Sequence, residues 1–203
     1  MRVVISGYYG FGNAGDEAVL GGMLKALLRK GGIGSDDVTV LSGSPASTSD
    51  EHGVRAIPRA SAAGVREALR SADALISGGG SLLQDVTSLR SLIYYIWIIG
   101  MARRLGRPVV VYAQGIGPLR RGLARWMVGR SLSAAAALTV RDEGSAATLR
   151  AIGVRRRDIR VTADPAFALP PPSIGSVGAS PSPRVGIAPR PWPAINAERL
   201  TTE

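Results

Sequence analysis

The sequence predicts an α/β domain in which a mostly parallel sheet carries helices on both faces. Short β-rich runs alternate with helical stretches from the first residue to about residue 168, the order expected of a parallel sheet. Several runs are apolar throughout, for example VVVYA at 109–113, as in strands that are buried on both faces. Glycine-rich turns follow three of the runs. Open parallel sheets bind ligands beyond the carboxyl ends of their strands, so function is expected at these turns.

Seven strands and five helices are predicted. The first helix has one apolar face, acidic residues in its first turn and basic residues in its last, which matches the helix dipole. The strands are Arg2–Ser6, Val38–Leu41, Val54–Ile57, Ala74–Ser77, Val109–Ala113, Leu138–Val140 and Ile159–Thr162. The helices are Asp16–Lys30, Gly64–Arg70, Leu89–Leu105, Leu123–Ala135 and Ser145–Ile152.

The composition changes after residue 169. Residues 170–183 contain five prolines, two glycines and four serines, which is typical of a linker. A new β-like run, RVGIAPRPW, follows it. We therefore predict a domain at 1–169, a linker at 170–183 and the stub of a truncated second domain at 184–203.

Charge and cysteine content narrow the function classes. The net charge is +10, and because Lys25 and Lys30 are the only lysines, 23 of the 25 basic residues are arginine. The arginine runs are scattered and lack interleaved aromatic residues, which favours a solvated surface over a nucleic-acid interface. Attraction to anionic lipid headgroups stays open. The absence of cysteine excludes disulfide scaffolds, zinc–thiolate sites and cysteine nucleophiles.

The longest apolar stretch, Leu92–Ala102, has 11 residues, fewer than the roughly 20 of a membrane span. It predicts a helix buried against the sheet or a partner, with lipid contact through an aromatic face as the alternative. The chain starts directly in a β-like run, without a secretory signal. We therefore expect a cytoplasmic protein, with peripheral contact at the inner face of the membrane left open.

The first glycine-rich turn is GYYGFGNAGDE at residues 7–17. Its glycines let the backbone approach a ligand just before a helix begins. Asp16 and Glu17 would repel a phosphate there and suit sugar hydroxyls better. Gly12, Asn13, Asp16 and Glu17 are therefore candidate binding residues, and the alternative is that Asn13 or Asp16 is only a helix N-cap.

The second turn is SGGGSLLQD at residues 77–85. Three consecutive glycines at a strand end form a flexible anion nest, and a following helix would add free N–H donors. Gln84 and Asp85, one turn further on, could hydrogen-bond an acceptor hydroxyl. The candidates from this turn are Gly79, Gly80, Ser81, Gln84 and Asp85.

Further candidates follow the later strands. Gln114 would project from the sheet edge, and Arg141 could bind a carboxylate or phosphate with its guanidinium fork. Asp142 and Asp164 are more often caps or turn formers. His52, the single histidine, lies in the polar segment SPASTSDEHG. We expect it to be a solvated loop residue rather than part of a site. We find no pattern for a metal cluster, and we expect residues 12–17, 78–85 and 114–117 to line one shared hollow.

Six motifs in order resemble the polysaccharide pyruvyl transferase family, in its branch acting on bacterial cell-wall polymers. They are GYYGFGNAGDEAVL, SGGGSLLQDVTS, YAQGIGPL, TVRDEGSAATLRAIGV, Asp164-Pro165 and RPW, and they cover most of residues 1–192. The resemblance implies the N-terminal half of a glycosyltransferase-B-type enzyme, with two Rossmann-like halves around a cleft. Such enzymes transfer pyruvate from phosphoenolpyruvate to a sugar as a ketal, typically on a lipid-linked disaccharide containing N-acetylmannosamine.

The resemblance also implies residue roles. Phosphoenolpyruvate is the donor substrate, and no cofactor is expected. A histidine in the second half would be the general acid, and because the sequence ends at Glu203, we expect this chain to be inactive alone. The expected donor-side residues are Arg141 and Arg190, and the expected acceptor-side residues are Asn13, Asp16, Glu17, Ser81, Gln84 and Asp85.

Two other functions stay open, namely half of a glycosyltransferase that uses a nucleotide-sugar donor and a non-catalytic sugar-binding or assembly domain. A nicotinamide dehydrogenase is disfavoured, because the first strand lacks GxGxxG with an acidic residue about 20 positions later. The acceptor sugar, its hydroxyls and the oligomeric state, a homo-oligomer included, are not specified by the sequence.

Overall fold

The structure is a computed structural model that describes residues 1–86, 88–156 and 158–171. Its strands form one all-parallel sheet in the order β3-β2-β1-β4-β5-β6-β7. The α/β, Rossmann-like fold class is thus confirmed, and each strand lies where the sequence predicts one. The strands are β1 (Val3–Tyr9), β2 (Val38–Ser42), β3 (Arg55–Pro58), β4 (Ala74–Gly78), β5 (Val109–Gln114), β6 (Ala137–Val140) and β7 (Arg160–Val161).

The described residues form one helix more than the sequence predicts. The helices are α1 (Ala14–Lys30), α2 (Pro45–His52), α3 (Ala62–Ser71), α4 (Leu89–Arg104), α5 (Gly122–Ser133) and α6 (Glu143–Ala151), with short 3₁₀ turns at Ser35–Asp37 and Pro165–Ala168. The unpredicted helix is α2, so the expectation that His52 lies in a loop is wrong. Pro45 opens α2 and Gly53 ends it in the left-handed region at φ 63°, the usual arrangement of these two residues. Only Thr48 of this helix is buried, so it has no apolar period to detect.

The sheet separates two apolar clusters. Val3 and Ile5 of β1 pack with α1, whereas Val4, between them, packs with the cluster that holds α3, α4, α5 and α6. This alternation is the period-two geometry of a strand covered on both faces. It explains why the strands read as continuous apolar runs.

The chain adds its strands first on one side of β1 and then, from β4 onwards, on the other side. Strands β2 and β3 extend to one side of β1, and strands β4 to β7 extend to the other. A crevice opens beyond the carboxyl ends of the strands at such a switch point. The functional site is therefore expected between the ends of β1 and β4.

The last described segment returns to α1. The 3₁₀ turn Pro165–Ala168 packs on this helix, and a Cβ on Gly22 would overlap the Pro165 carbonyl. This close approach brings Asp164 to the start of α1. Residues Met1–Pro170 form one compact unit. Residues from 172 onwards lie outside the described part of the chain. They include Arg190, nearly all of the predicted linker and the predicted stub of a second domain.

No helix in the described ranges combines the length and the apolar character needed to cross a bilayer. Helix α4, which contains Leu92–Ala102, buries one face against the rest of the domain through Leu92, Tyr95, Ile98, Ile99 and Ala102. Its opposite face is partly exposed, with Ile93 at 46%.

Candidate functional site

A cavity of about 540 Å³ opens at the switch point of the sheet. It is bounded by the turns that follow β1, β4 and β6 and by the segment after β7. The side chains of Asp16, Arg141 and Asp164 give it charges of both signs. Its lining residues are Asn13, Gly15, Asp16, Ala18, Val19, Gly80, Arg141, Asp164, Ala166 and Phe167.

The turn after β1 is held by local hydrogen bonds. Asn13 is the N-cap of α1, and its side-chain oxygen accepts from the Gly15 N–H at 3.1 Å. The Gly10 N–H donates to Glu17 Oε1 at 2.8 Å. Asn13 thus has the capping role that the sequence left open and also lines the cavity, whereas Glu17 braces the turn.

Asp16 is half-buried and faces the turn after β4. A Cβ on Gly80 would lie 2.7 Å from Asp16 Oδ1, and the φ of Gly80 is +65°, so this position requires glycine. Burial raises the pKa of Asp16, the Glu17 carboxylate raises it further, and the Arg141 guanidinium lowers it. A carboxylate of raised pKa in a cleft is suited to exchange a proton with a ligand.

Arg141 connects three turns of the site. Its NH2 donates to Ser81 Oγ at 2.9 Å and its NH1 to Asp164 Oδ2 at 3.3 Å. Its Nε lies 3.5 Å from Asp142 Oδ2. The Arg141 side chain is one-third exposed and lines the cavity, so it can still meet an anion that enters there. Donation from the Ser145 N–H lowers the pKa of Asp142, which caps α6.

Gln114 is fully buried behind the cavity. Its Nε2 donates to Gly80 O at 3.0 Å, and its Oε1 has no hydrogen-bond partner among the described residues. The preceding residue, Ala113, has a φ of +46°, a strained conformation for alanine. The strain accompanies a register shift at the end of β5, so the backbone leaves its regular path where Gln114 enters the site.

The triple-glycine turn differs from its prediction. Gly79 is a packing position, because a Cβ there would meet the Val19 side chain and, at 2.7 Å, Tyr9 Oη. Helix α4 begins at Leu89, as the sequence predicts, so it starts nine residues after Gly80 rather than directly after the glycines. Leu83 instead bridges to Ile116. Gln84 is half-buried and Asp85 is buried, and neither is among the described residues that line the cavity.

Asp85 holds a loop rather than facing the cavity. Its two carboxylate oxygens accept the backbone N–H groups of Arg120 at 2.8 Å and Arg121 at 2.7 Å. Arg121 is the N-cap of α5 and makes no capping bond with its own side chain. Asp85 therefore caps α5 from a distant part of the chain. Each oxygen thus already accepts one backbone N–H, and the expected bond from Asp85 to an acceptor hydroxyl stays a prediction.

Asp85→Asn is expected to destabilise the chain by about 2–4 kcal/mol, because the amide retains one acceptor for two partly buried donors. Burial raises the pKa of Asp85, but the two N–H donors outweigh it and the pKa is lowered. The carboxylate therefore contributes stability above its unfolded pKa and loses it as the pH falls through the lower folded value. Urea unfolding from neutral to acid pH measures this. The loss relative to wild type should shrink towards acid pH, and Asp50→Asn, at an exposed carboxylate of α2, should show no loss.

A cluster that the sequence did not reveal lies beside the site. The exposed rings of Tyr8 and Phe11 stack at 4.3 Å. The Arg59 guanidinium, just after β3, lies over Tyr94 at 4.3 Å and over Phe11 and Tyr95 at 5.3 Å. Cation–π contacts of this kind fix an arginine without a carboxylate. The YYGF segment offered a signal, but nothing in the sequence pointed to Arg59.

Gly12 and Glu17 line a second cavity, of about 680 Å³, on the other side of the start of α1. Glu17, Glu51 and His52 place possible ligand atoms within 4.8 Å of one another there. Glu17 already accepts a backbone N–H, and Glu51 is exposed. The trio therefore shows spacing suitable for a cation without being a closed site, and we assign no metal to it.

The predicted turns do meet at one edge of the sheet. Asn13, Asp16, Gly80 and Arg141 line one cavity, and Ser81 and Gln114 are joined to it by hydrogen bonds. Gly12 and Glu17 belong to the neighbouring cavity, Gly79 packs on α1 and Asp85 caps α5. Their contacts with substrates remain predictions.

Comparison with known families gives one result. The model described as polysaccharide pyruvyl transferase matches residues 13–197, a range that includes every residue lining the cavity at the switch point. No curated protein and no solved structure matched the chain. The match supports pyruvyl transfer as the general activity. Because it spans most of the sequence, the chain belongs to the polysaccharide pyruvyl transferase family.

Proposed function

We propose that the complete enzyme transfers pyruvate from phosphoenolpyruvate to two hydroxyls of a sugar in a cell-wall polysaccharide precursor. The observation that carries the proposal is that Arg141 and Asp16 line the same cavity at the switch point. A guanidinium can hold the donor's carboxylate or phosphate, and a carboxylate can accept a proton from a hydroxyl. Donor and acceptor would meet in this cavity.

The reaction requires both kinds of group. A proton adds to the methylene carbon of phosphoenolpyruvate, one sugar hydroxyl attacks C2 and loses its proton, and phosphate leaves with the C–O bond electrons. The second hydroxyl then attacks C2 and loses its proton, which closes the ketal. A cation that holds the donor's carboxylate or departing phosphate lowers the barrier by electrostatic stabilisation. Arg141 is suited to that task from this chain.

Asp16 is suited to act on the acceptor hydroxyls. It is half-buried in the cavity, with a pKa raised by burial and by Glu17, so it can take up a proton nearer to neutral pH than an ordinary carboxylate. Asn13, which caps α1 and lines the same cavity, is exposed enough to contact a sugar. The general acid that protonates the methylene carbon is assigned to the second half of the enzyme, by analogy with the family.

Two further features support a sugar as the acceptor. The stacked rings of Tyr8 and Phe11 offer an exposed aromatic surface next to the glycine-rich turn, and such surfaces combine apolar contact with polar edges. Gln114 Oε1 is a buried acceptor without a partner among the described residues, and such groups bind a donor when one reaches them. The cytoplasmic location and the lipid-linked form of the acceptor are parts of the same proposal.

The test uses the complete protein as its gene encodes it. It is incubated with phosphoenolpyruvate and a short-chain diphospholipid disaccharide that contains N-acetylmannosamine. We expect phosphate release that requires the acceptor, and an acceptor product whose mass shows an added pyruvate ketal. Turnover with a nucleotide sugar but not with phosphoenolpyruvate would assign the site to glycosyl transfer. Sugar binding without either reaction would indicate a binding domain.

A further inference from the structure

The outer surface of α4 and α5 carries a groove that the proposed reaction does not use. It has a volume of about 340 Å³. Ile93, Ile96 and Trp97 of α4 and Trp126 and Met127 of α5 form its apolar walls. The opposite face of α4 is buried in the domain, so the groove looks away from the core of this unit.

Large apolar side chains on this surface are open to solvent. Trp126 and Leu123 are each 61% exposed, and Ile93 is 46% exposed. Exposed apolar groups that cluster in this way mark interaction sites, whereas single exposed ones need no explanation.

The same surface is basic. Arg103, Arg104 and Arg130 border the groove and are exposed. Within the ranges that the structure describes, none of the three has a carboxylate within 4.0 Å. Arg103, Arg104 and Arg130 thus share one surface. We call the surface formed by Ile93, Trp97, Arg103, Arg104, Leu123, Trp126 and Arg130 the α4–α5 face.

The segment of the chain that contains this face is strongly basic. The segment from Val86 to Arg141 contains nine arginines and no aspartate or glutamate, against a net charge of +10 for all 203 residues. The remaining residues of the chain therefore have a combined net charge close to zero. A surface that joins uncompensated arginines to exposed tryptophan and leucine is complementary to a layer of phosphates above hydrocarbon.

We propose that the α4–α5 face docks the enzyme on an anionic lipid bilayer. Arg103, Arg104 and Arg130 contact headgroup phosphates, and their alkyl stems lie along the apolar surface. Ile93, Leu123 and Trp126 enter the boundary between headgroups and acyl chains, where indole rings are favoured. The enzyme rests on the membrane through two helices and does not span it. This inference rests on the surface alone and is independent of the reaction that the cavity performs.

Two other occupants fit less well. A second copy of the chain would bring arginine against arginine, and neither helix carries a carboxylate that could compensate. A nucleic acid would pair with the arginines but would leave the aliphatic side chains Ile93 and Leu123 without apolar partners.

Co-sedimentation with vesicles tests the proposal. The chain is expected to bind vesicles that contain phosphatidylglycerol, to bind pure phosphatidylcholine weakly, and to dissociate as salt rises from about 0.1 M to about 1 M. Reversing all three arginines, in Arg103→Glu, Arg104→Glu and Arg130→Glu together, should lower the partition coefficient at least about a hundredfold, since each basic residue near the surface is worth roughly a factor of five.

The matched control has the same change of net charge elsewhere. Arg29, Arg55 and Arg160 are exposed on α1, β3 and β7, and their reversal to glutamate should retain most of the binding. Equal losses in the two triple variants would overturn the proposal, because only overall charge would then matter. Absence of binding by the wild-type chain would overturn it as well.

Insertion of the apolar side chains into the bilayer is measured separately from the electrostatic attraction of the arginines to the headgroups. In a variant with Trp97→Phe and Trp192→Phe, Trp126 is the only tryptophan, and its emission should shift to the blue and be quenched by brominated lipids. An unchanged spectrum on bound vesicles would contradict the assigned orientation. Leu123→Ala with Ile93→Ala should weaken binding without altering its salt dependence. If these substitutions instead convert a dimer to a monomer in solution, the face is a protein interface.

Discussion

Arg141→Ala is expected to lower kcat/KM of the complete enzyme about 100- to 1000-fold, the usual cost of losing one group that stabilises developing charge. Arg141 lines the cavity, and its side chain is one-third exposed. If it holds the donor's carboxylate or the departing phosphate, its removal affects transition-state binding at least as strongly as substrate binding. The measurement is steady-state phosphate release at varied phosphoenolpyruvate concentration.

The conservative change separates charge from geometry. Arg141→Lys retains the charge but cannot form two parallel bonds to a planar anion, so we expect an activity between those of wild type and Arg141→Ala. Arg141 also joins Ser81 to Asp164, and a merely structural role would lower stability and activity together in both variants. Arg150→Ala, at an exposed arginine of α6, is the matched control. Activity of Arg141→Ala equal to that of this control would refute the assignment.

The strands were predictable because a strand that is buried on both faces has a continuous run of apolar residues. The runs ALIS and VVVYA mark β4 and β5 within one residue at each end. Helix α2 was not predictable in this way. Six of its eight residues are polar and only Thr48 is buried, so the helix is specified by Pro45 and by the left-handed Gly53 at its end.

The sequence predicted that the glycine-rich turns meet at one edge of the sheet, but it did not predict the role of each residue there. Parallel strands place all their carboxyl ends at one edge, so Asn13, Gly80 and Arg141 were expected at that edge. The role of Asp85 depends on two backbone N–H groups about 35 residues away in sequence. No local pattern reports a contact of that kind.

Glycine runs are ambiguous for the same reason. In the run at 78–80, the middle glycine is needed because Val19 and Tyr9 pack against it, and the third because Asp16 lies 2.7 Å from its absent Cβ. Only the third faces the cavity. Sequence alone assigns an anion nest to all three, since close packing and ligand approach select the same residue. Arg59 was missed because its partners, the rings of Phe11, Tyr94 and Tyr95, come from two other elements.

Asp16→Asn is expected to lower kcat of the complete enzyme about 100-fold or more, with little change in KM, because it removes a group that takes protons from the acceptor hydroxyls. Burial, followed by the Glu17 carboxylate, raises the pKa of Asp16. The base must be ionised to act, so wild-type activity should fall on the acid side at a pH above the ordinary carboxyl range. The variant should lack this acid limb.

Stability separates this role from a structural one. A carboxyl whose folded pKa is raised stabilises the fold when protonated, and the contribution is lost as the pH rises through the folded pKa. At neutral pH the ionised Asp16 therefore costs stability, and Asp16→Asn should unfold at the same urea concentration as wild type or a higher one. Asp50→Asn, on the exposed surface of α2, should change neither activity nor stability. If Asp16→Asn destabilises the protein and leaves the acid side of the pH–activity profile unchanged, Asp16 only supports the turn. If the variant instead loses turnover while the protein becomes more stable, Asp16 is a functional carboxylate that is held at a cost in stability.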